Sequence, residues 1–599
     1  MVLSTRSRCR GWVFGATLTA ACGDDEAGGE GDGSSGSSSG SSSESDPSVT
    51  PTSATTSTTD APDPDSSTTD APPDTTGEPE TTGTPTAVDA RLMYRVPLGR
   101  FFSTLRVQDV VDGVPGDFVE VMPGLDADHG VLTHRSLDDG RAVSYCVDQV
   151  ASDENDCYVQ DLSTTPLGAP QQTDVAPVPP TSITSVPDFT VPGALLFRTV
   201  DPIGPMRRMY RVPWADAMLG APSVVLEPSE GMTAFGDFGI SPDSQWLTVV
   251  ARIDDGPSNV YVASSTGEAE SGTQVSAVVD PAAEAAVEAW LSDSSGLVFS
   301  VDDDGLGFQK DAPYLATLEA GLPTDVVRID DPLQDALEVA RPAVAPDDRA
   351  VVYWVGTGLA GDAMYVALEA GVPEAPVLLS TLGPQQTIPI DLGWSPDARW
   401  VLYLAEHAAA ETRDVFLVDT TGPGLSEPFQ VTALPDGSSP EAQMFDAASH
   451  WLYVVAPDGP QSRSLIRVDV SGAQPGAPQT LYEVQAQGIG PSGELRFSHD
   501  GDTLLFTATD ADDGPLELWG VDVSGAEPGA AFRVNAPLAA GERVTYGARI
   551  SPDDTAVAYR VGGEDPESPT RLMLAALASP GVAIEVAEDA SSHDFVLLR

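Results

Sequence analysis

The sequence predicts an all-β chain, a large β-propeller of four-stranded repeats of about 50 residues, with about nine blades in a range of eight to ten, behind a disordered tether. Three observations carry this. One short phrase returns at nearly constant spacing, each clear copy is followed by a second β-like run, and helical periodicity is almost absent.

Composition bounds what such a chain can do. Its 599 residues carry 91 Asp and Glu against 29 Lys and Arg, a formal net charge of −62 at pH 7. Phosphate backbones and anionic membrane surfaces bind clustered cations, so a nucleic-acid partner is excluded. At 41% hydrophobic residues the chain can bury a large core and is not globally disordered. The charge is uneven. No Lys or Arg lies between Arg10 and Arg91, an interval with 15 acids, while the part from Arg91 onward holds 76 acids against 26 bases. Lys310 is the only lysine, a bias to which the sequence gives no functional meaning.

The first element, residues 1–22, is an export signal. Arg6, Arg8 and Arg10 form a basic start, and Trp12, Val13, Phe14 and Leu18 lie in an apolar run too short to span a bilayer. The run ends in Leu18-Thr19-Ala20-Ala21-Cys22-Gly23, which resembles the bacterial lipobox, with Thr19 where that pattern prefers Leu. The resemblance implies a diacylated Cys22, a membrane anchor without a transmembrane helix. Ordinary secretory cleavage is the alternative. By the enterobacterial sorting rule, Gly23 after the cysteine implies the outer membrane, with either the periplasm or the exterior facing the protein.

The second element, residues 23–90, collapses to Gly, Ser, Thr, Asp, Glu and Pro, with Ser-Thr-Thr-Asp-Ala-Pro at 57–62 and again at 67–72. Nothing there repays the entropy of ordering, so it reads as an extended, self-repelling spacer. The same composition permits an O-glycosylated stalk.

The third element, residues 91–599, is the repeat. Ile240-Ser241-Pro242-Asp243, Trp394-Ser395-Pro396-Asp397, Phe497-Ser498-His499-Asp500 and Ile550-Ser551-Pro552-Asp553 each precede an apolar run, and degenerate copies fill the gaps. The aligned positions are 139, 192, 243, 293, 347, 397, 448, 500 and 553, in steps of 50 to 54. Runs such as Val415-Phe416-Leu417-Val418-Asp419 and Leu465-Ile466-Arg467-Val468-Asp469 follow ten to twenty residues later. Four short antiparallel strands fit each period, and such a sheet buries its faces only against its neighbours. Pro ends the inner strand, Asp caps the turn, and the apolar run packs between sheets. One modest connecting helix is expected around Pro281 to Trp290, where alanines and glutamates accumulate.

The Ser-Pro-Asp phrase with its following Leu-Tyr-x-Val-Asp run resembles the propeller repeat of TolB-like envelope proteins and of the propellers attached to prolyl-oligopeptidase-type enzymes. The resemblance covers about 130–599 and implies the architecture, not a Tol-system role. Closure follows from the ends. Met93-Tyr94-Arg95-Val96-Pro97 repeats Met209-Tyr210-Arg211-Val212-Pro213, which places the start of the domain at the third strand of a unit. His593-Asp594-Phe595-Val596-Leu597 reads as an inner strand with no follow-on, so the two ends are expected to complete one blade. Two smaller tandem propellers are the alternative.

Candidate chemistry is thin. Cys9 leaves with the signal, and Cys146 and Cys157 face each other across a polar loop, a pairing expected to be a disulfide in an exported protein. The histidines at 129, 134, 407, 450, 499 and 593 show no metal-ligand spacing and read as turn or surface residues. Clusters at 126–128, 302–305 and 510–514 read as solvated turns, with calcium binding as the alternative, and no other cofactor is implied. There is no Gly-x-Ser-x-Gly elbow and no α/β region, so the catalytic half of the prolyl-oligopeptidase architecture is expected to be missing. The expected function is a noncatalytic, lipid-anchored scaffold that holds a protein partner at the cell envelope. The alternative is an envelope enzyme, a hydrolase or lyase with its site in the central funnel. Convergent His, Arg and carboxylate side chains in that funnel would favour the enzyme.

Overall fold

A computed structural model describes residues 88–596 apart from short stretches of the loops between strands. The export signal with Cys22, nearly all of the expected spacer, the calcium candidates at 126–128 and 510–513, and most of 302–305 lie outside the described residues. Forty-four strands form ten antiparallel sheets, each with four principal strands in order, and no α-helix occurs among the described residues. One strand or more of the path is split in blades 3, 6 and 7.

The ten sheets form one ring, because the hydrophobic core is a closed cycle of ten clusters, each shared by two neighbouring blades. Blade 1 joins the last strand of the chain, Ser592–Phe595, to Ala90–Pro97, Ser103–Val111 and Val114–Glu120. It packs on blade 2 through Leu105, Val107, Val143 and Tyr145. At its other side Leu92 and Phe595 pack with Ala558 and Leu574 of blade 10, whose strands are Glu542–Ile550, Ala556–Gly563, Arg571–Ala576 and Ala583–Glu588. Tandem propellers would leave this cycle open at two places.

Nine of the ten blades follow the nine counted copies of the phrase, and the tenth is the blade built from both termini. Leu92 pairs with Phe595 and Tyr94 with His593, which closes the ring by hydrogen bonds. Ala90–Pro97 lies between the closing strand and Ser103–Val111, so the domain starts at the second strand of a unit, not the third. The Met-Tyr-Arg-Val-Pro match misled because alternating strands of any rank share that pattern.

Each Ser-Pro-Asp phrase is a cap built from two side chains. Ser395 Oγ donates to Asp397 Oδ1 at 2.6 Å and accepts the Trp400 backbone N–H at 2.8 Å, and the same arrangement holds at Ser241, Ser498 and Ser551. Three residues after the Ser, the chain turns through positive φ at Ser244, Ala398, Gly501 and Asp554. At several copies the polar side chain of the positive-φ residue ties adjacent blades. Ser449 accepts the Asp397 N–H at 2.9 Å, and the Asp554 carboxylate accepts those of His499 and Asp500.

The helix expected around Pro281 to Trp290 is instead the first strand of blade 5, Glu284–Trp290, next to a single 3-10 turn at Ser276–Val278. Alanine and glutamate favour a helix in isolation, but Ala283 and Ala285 alternate with the more exposed Glu284 and Ala286. Pairing with Gly296–Asp302 buries that face.

Candidate functional site

The first strands of successive blades touch one another around the axis, as Met232–Ile240 touches Glu284–Trp290 and Glu542–Ile550 touches Ser592–Phe595. Side chains from several blades therefore meet there. The first strands of blades 2, 4, 5, 6 and 10 each break register with a bulge, which re-aims the residues after it. In blade 10 the break lies between Thr545 and Arg549, where Gly547 has φ +94°.

That bulge delivers Arg549 to a cluster at the ring closure. Arg549 pairs with Ala558 on the adjacent strand, and the Ala558 carbonyl lies 3.1 Å from His593 Nε2 on the closing strand. A carbonyl only accepts, so Nε2 carries the proton and the neutral ring keeps its lone pair on Nδ1. Arg560, two residues beyond Ala558, donates to the Ser591 carbonyl, two residues before His593. Burial first, then the guanidinium groups of Arg560, Arg549 and Arg496, push His593 down to about 3 against the pull of its bond to Ala558. Arg496 begins the first strand of blade 9, Arg496–Phe497.

On the blade 2 side, Ser136 Oγ donates to Asp594 Oδ2 at 2.8 Å, and Arg95 donates to the Val131 and Leu132 carbonyls. His134 lies on the same strand as Ser136, and burial followed by the Arg95 charge pushes it down to about 4. Three arginines on three strands of blades 9 and 10 thus surround neutral His593 between blades 10 and 1, while His134, Ser136 and Asp594 gather on the opposite face of the closing strand, between blades 1 and 2.

Other sequence candidates are dispersed. Cys146 and Cys157 are paired residues on neighbouring strands of blade 2, with their sulfurs 2.06 Å apart. His450 and His499 sit in turns, where Asp446 and Asp554 hold their backbone N–H groups. His407 lies beside Asp414 at 3.2 Å on blade 7. Among the described residues no three His, Cys, Asp or Glu side chains form a group that could hold a metal ion. The reading of all six histidines as turn or surface residues fails at His593 and His134, which lie on inner strands. Only Arg549 carried a local signal, the Tyr546-Gly547-Ala548 interruption before it.

No family model matches the chain, and no curated protein matches it. Among solved structures it is similar to a prolyl endopeptidase, at 16% identity over 64% of this chain and 54% of that one, with a TM-score of 0.36. It is also similar to prolyl oligopeptidase B from Galerina marginata, at 12% identity over 63% and 55%, with a TM-score of 0.34. The putative TolB from Agrobacterium tumefaciens shares 14% identity over 44% of this chain and 84% of that one, with a TM-score of 0.23. The chain spans about half the length of the prolyl oligopeptidases it matches. The expectation that the chain is not an enzyme is corrected here, because the solved structures to which it is similar include prolyl endopeptidases and prolyl oligopeptidases. The lack of a Gly-x-Ser-x-Gly elbow had spoken against one catalytic architecture only.

Proposed function

We propose that the protein is an exported enzyme, a hydrolase or lyase, whose reaction centre lies around His593, between blades 9, 10 and 1. One observation carries this reading: His593 on the strand that closes the ring meets arginines from two other blades. Convergence of titratable groups held away from their ordinary ionisation is what proton-transfer chemistry requires. A neutral imidazole with a lone pair on Nδ1 serves as the base, and the guanidinium groups stabilise negative charge as it develops on the substrate.

The expected export signal, a lipid on Cys22 and the spacer to about residue 90 belong to the same reading and would hold this ring on a membrane of the cell envelope. A protein partner there is part of it as well, and recovery of one in a pull-down with envelope extracts would support it. The decisive experiment measures turnover by the full-length chain of uronate oligosaccharides, phosphate and sulfate esters, and peptides. His593→Asn should lower kcat at least about 100-fold on any substrate that is turned over. No turnover of any class, or an unaffected His593→Asn, sinks the proposal.

A further inference from the structure

Most arginines of this chain are consumed by structure. Arg467 is fully buried, its guanidinium donating to Gln479 and to the Val523, Gly525 and Ala526 carbonyls of the next blade. Arg399 reaches Asp419 and the carbonyls of Ser471 and Gly472, and Arg91 holds Asp109 and the carbonyls of Leu162 and Thr164. Arg549 has one guanidinium nitrogen outside such bonds. Its Nη1 is buried with no hydrogen-bond partner, although the part of the chain from Arg91 onward has 50 more acids than bases to offer. A buried charged donor left unmatched is costly, and an acceptor entering from outside removes that cost.

We propose that the reaction centre takes an oxyanion group of its substrate, seated on Arg549 and shared with Arg496 and Arg560. The inference rests on the reading of that cluster as a binding or reaction site and names its ligand class. Planar guanidinium groups match carboxylate, phosphate and sulfate oxygens with paired donors, which a single ammonium cannot do. Arg560 is already oriented by its bond to the Ser591 carbonyl, and the Gly547 bulge fixes the approach of Arg549, so the cradle exists before the ligand arrives. The groups facing His593 from every side fit this reading. Arg549 and Arg560 lie on blade 10, Arg496 on blade 9, Tyr94 pairs opposite it on blade 1, and the adjacent Asp594 points to the other face of the strand, where Ser136 of blade 2 engages it. An anion among the arginines offsets their share of what keeps the ring neutral, the larger share being burial, so substrate entry makes His593 a stronger base and draws a proton toward it.

Isothermal titration calorimetry of the full-length chain at low salt tests this with sulfate, phosphate and glucuronate, which also separates the three sources of an oxyanion. At least one should bind with a stoichiometry of one, and Arg549→Gln and Arg496→Gln should each weaken it by about tenfold or more. Arg543→Gln, the same charge change on the exposed start of the same strand, should alter the affinity less than about twofold. Proton uptake on binding, read from buffers of different ionisation enthalpy, should be present near pH about 5 and absent in His593→Asn. The inference is overturned if none of the three anions binds below about 10 mM, or if the two site variants bind like the wild type. Anion binding without turnover of any substrate would leave it standing and remove the enzyme reading, and turnover insensitive to all three anions would do the reverse.

Discussion

At the scale of residues, the arginine bias acquires a physical cause. A guanidinium carries five donors in a fixed plane and can hold several carbonyls of a neighbouring blade at once, as Arg467 does from its fully buried position over the Trp451 ring. An ammonium in its place satisfies fewer of them. Arg467→Lys should therefore lose about 2 kcal/mol of stability in urea unfolding, and an unchanged midpoint would show that these ties between blades contribute nothing. The neutral histidines give a pH dependence with a definite sign. His134 and His593 titrate at about 4 and about 3 in the folded chain, below the ordinary value near 6.5. Between those limits the unfolded chain binds more protons, so stability is full above about pH 6.5 and falls as the pH drops toward the folded values. Urea midpoints should decline from about pH 7 to about pH 5.5, and His134→Gln with His593→Gln should flatten that decline. The turn serines were partly legible. Ser and Asp of each phrase stood out by repetition, but the tie from Ser449 or Asp554 to the preceding blade joins residues some 50 positions apart, which one copy of a repeat cannot display.

At the scale of elements, closure depends on one tight turn. Gly140, with φ +91°, sits so close to the closing strand that an added Cβ would lie 2.3 Å from the Phe595 carbonyl oxygen. Gly140→Ala must shift either the turn of blade 2 or the strand Ser592–Phe595, and the residue would also be strained at that φ. A loss of about 2 kcal/mol is expected, with faster amide exchange in residues 592–596. Exchange that stays slow there would show the turn yielding instead. Strand rank was the weak point of the sequence reading, because alternation identifies a strand without ranking it within its sheet. The mistaken helix in blade 5 has a similar origin. Alanine carries a helical preference, and only pairing with Gly296–Asp302 converts that stretch to an inner strand.

At the scale of the whole molecule, the ring is held by ten shared cores and by one pairing between the ends of the domain. Truncation after Ala590 removes the closing strand, exposes the edge of Ala90–Pro97 and strips Phe595 and Val596 from their clusters. It should cost on the order of 3–5 kcal/mol, seen as a sharply lowered thermal midpoint. Unchanged unfolding would reject closure as a source of stability. The sequence by itself determined the repeat, its period, the turn chemistry and the pairing of the two termini, because these depend on local patterning along the chain. Only the tertiary structure decided the ten-blade count and the cluster of Arg496, Arg549, Arg560 and His593. Those residues are spread over nearly a hundred positions and share no spacing. They meet because radial stacking carries the first strands of successive blades to the same axis, a bulge turns Arg549 toward the strand that closes the ring, and Arg560 reaches that strand from the second strand of blade 10.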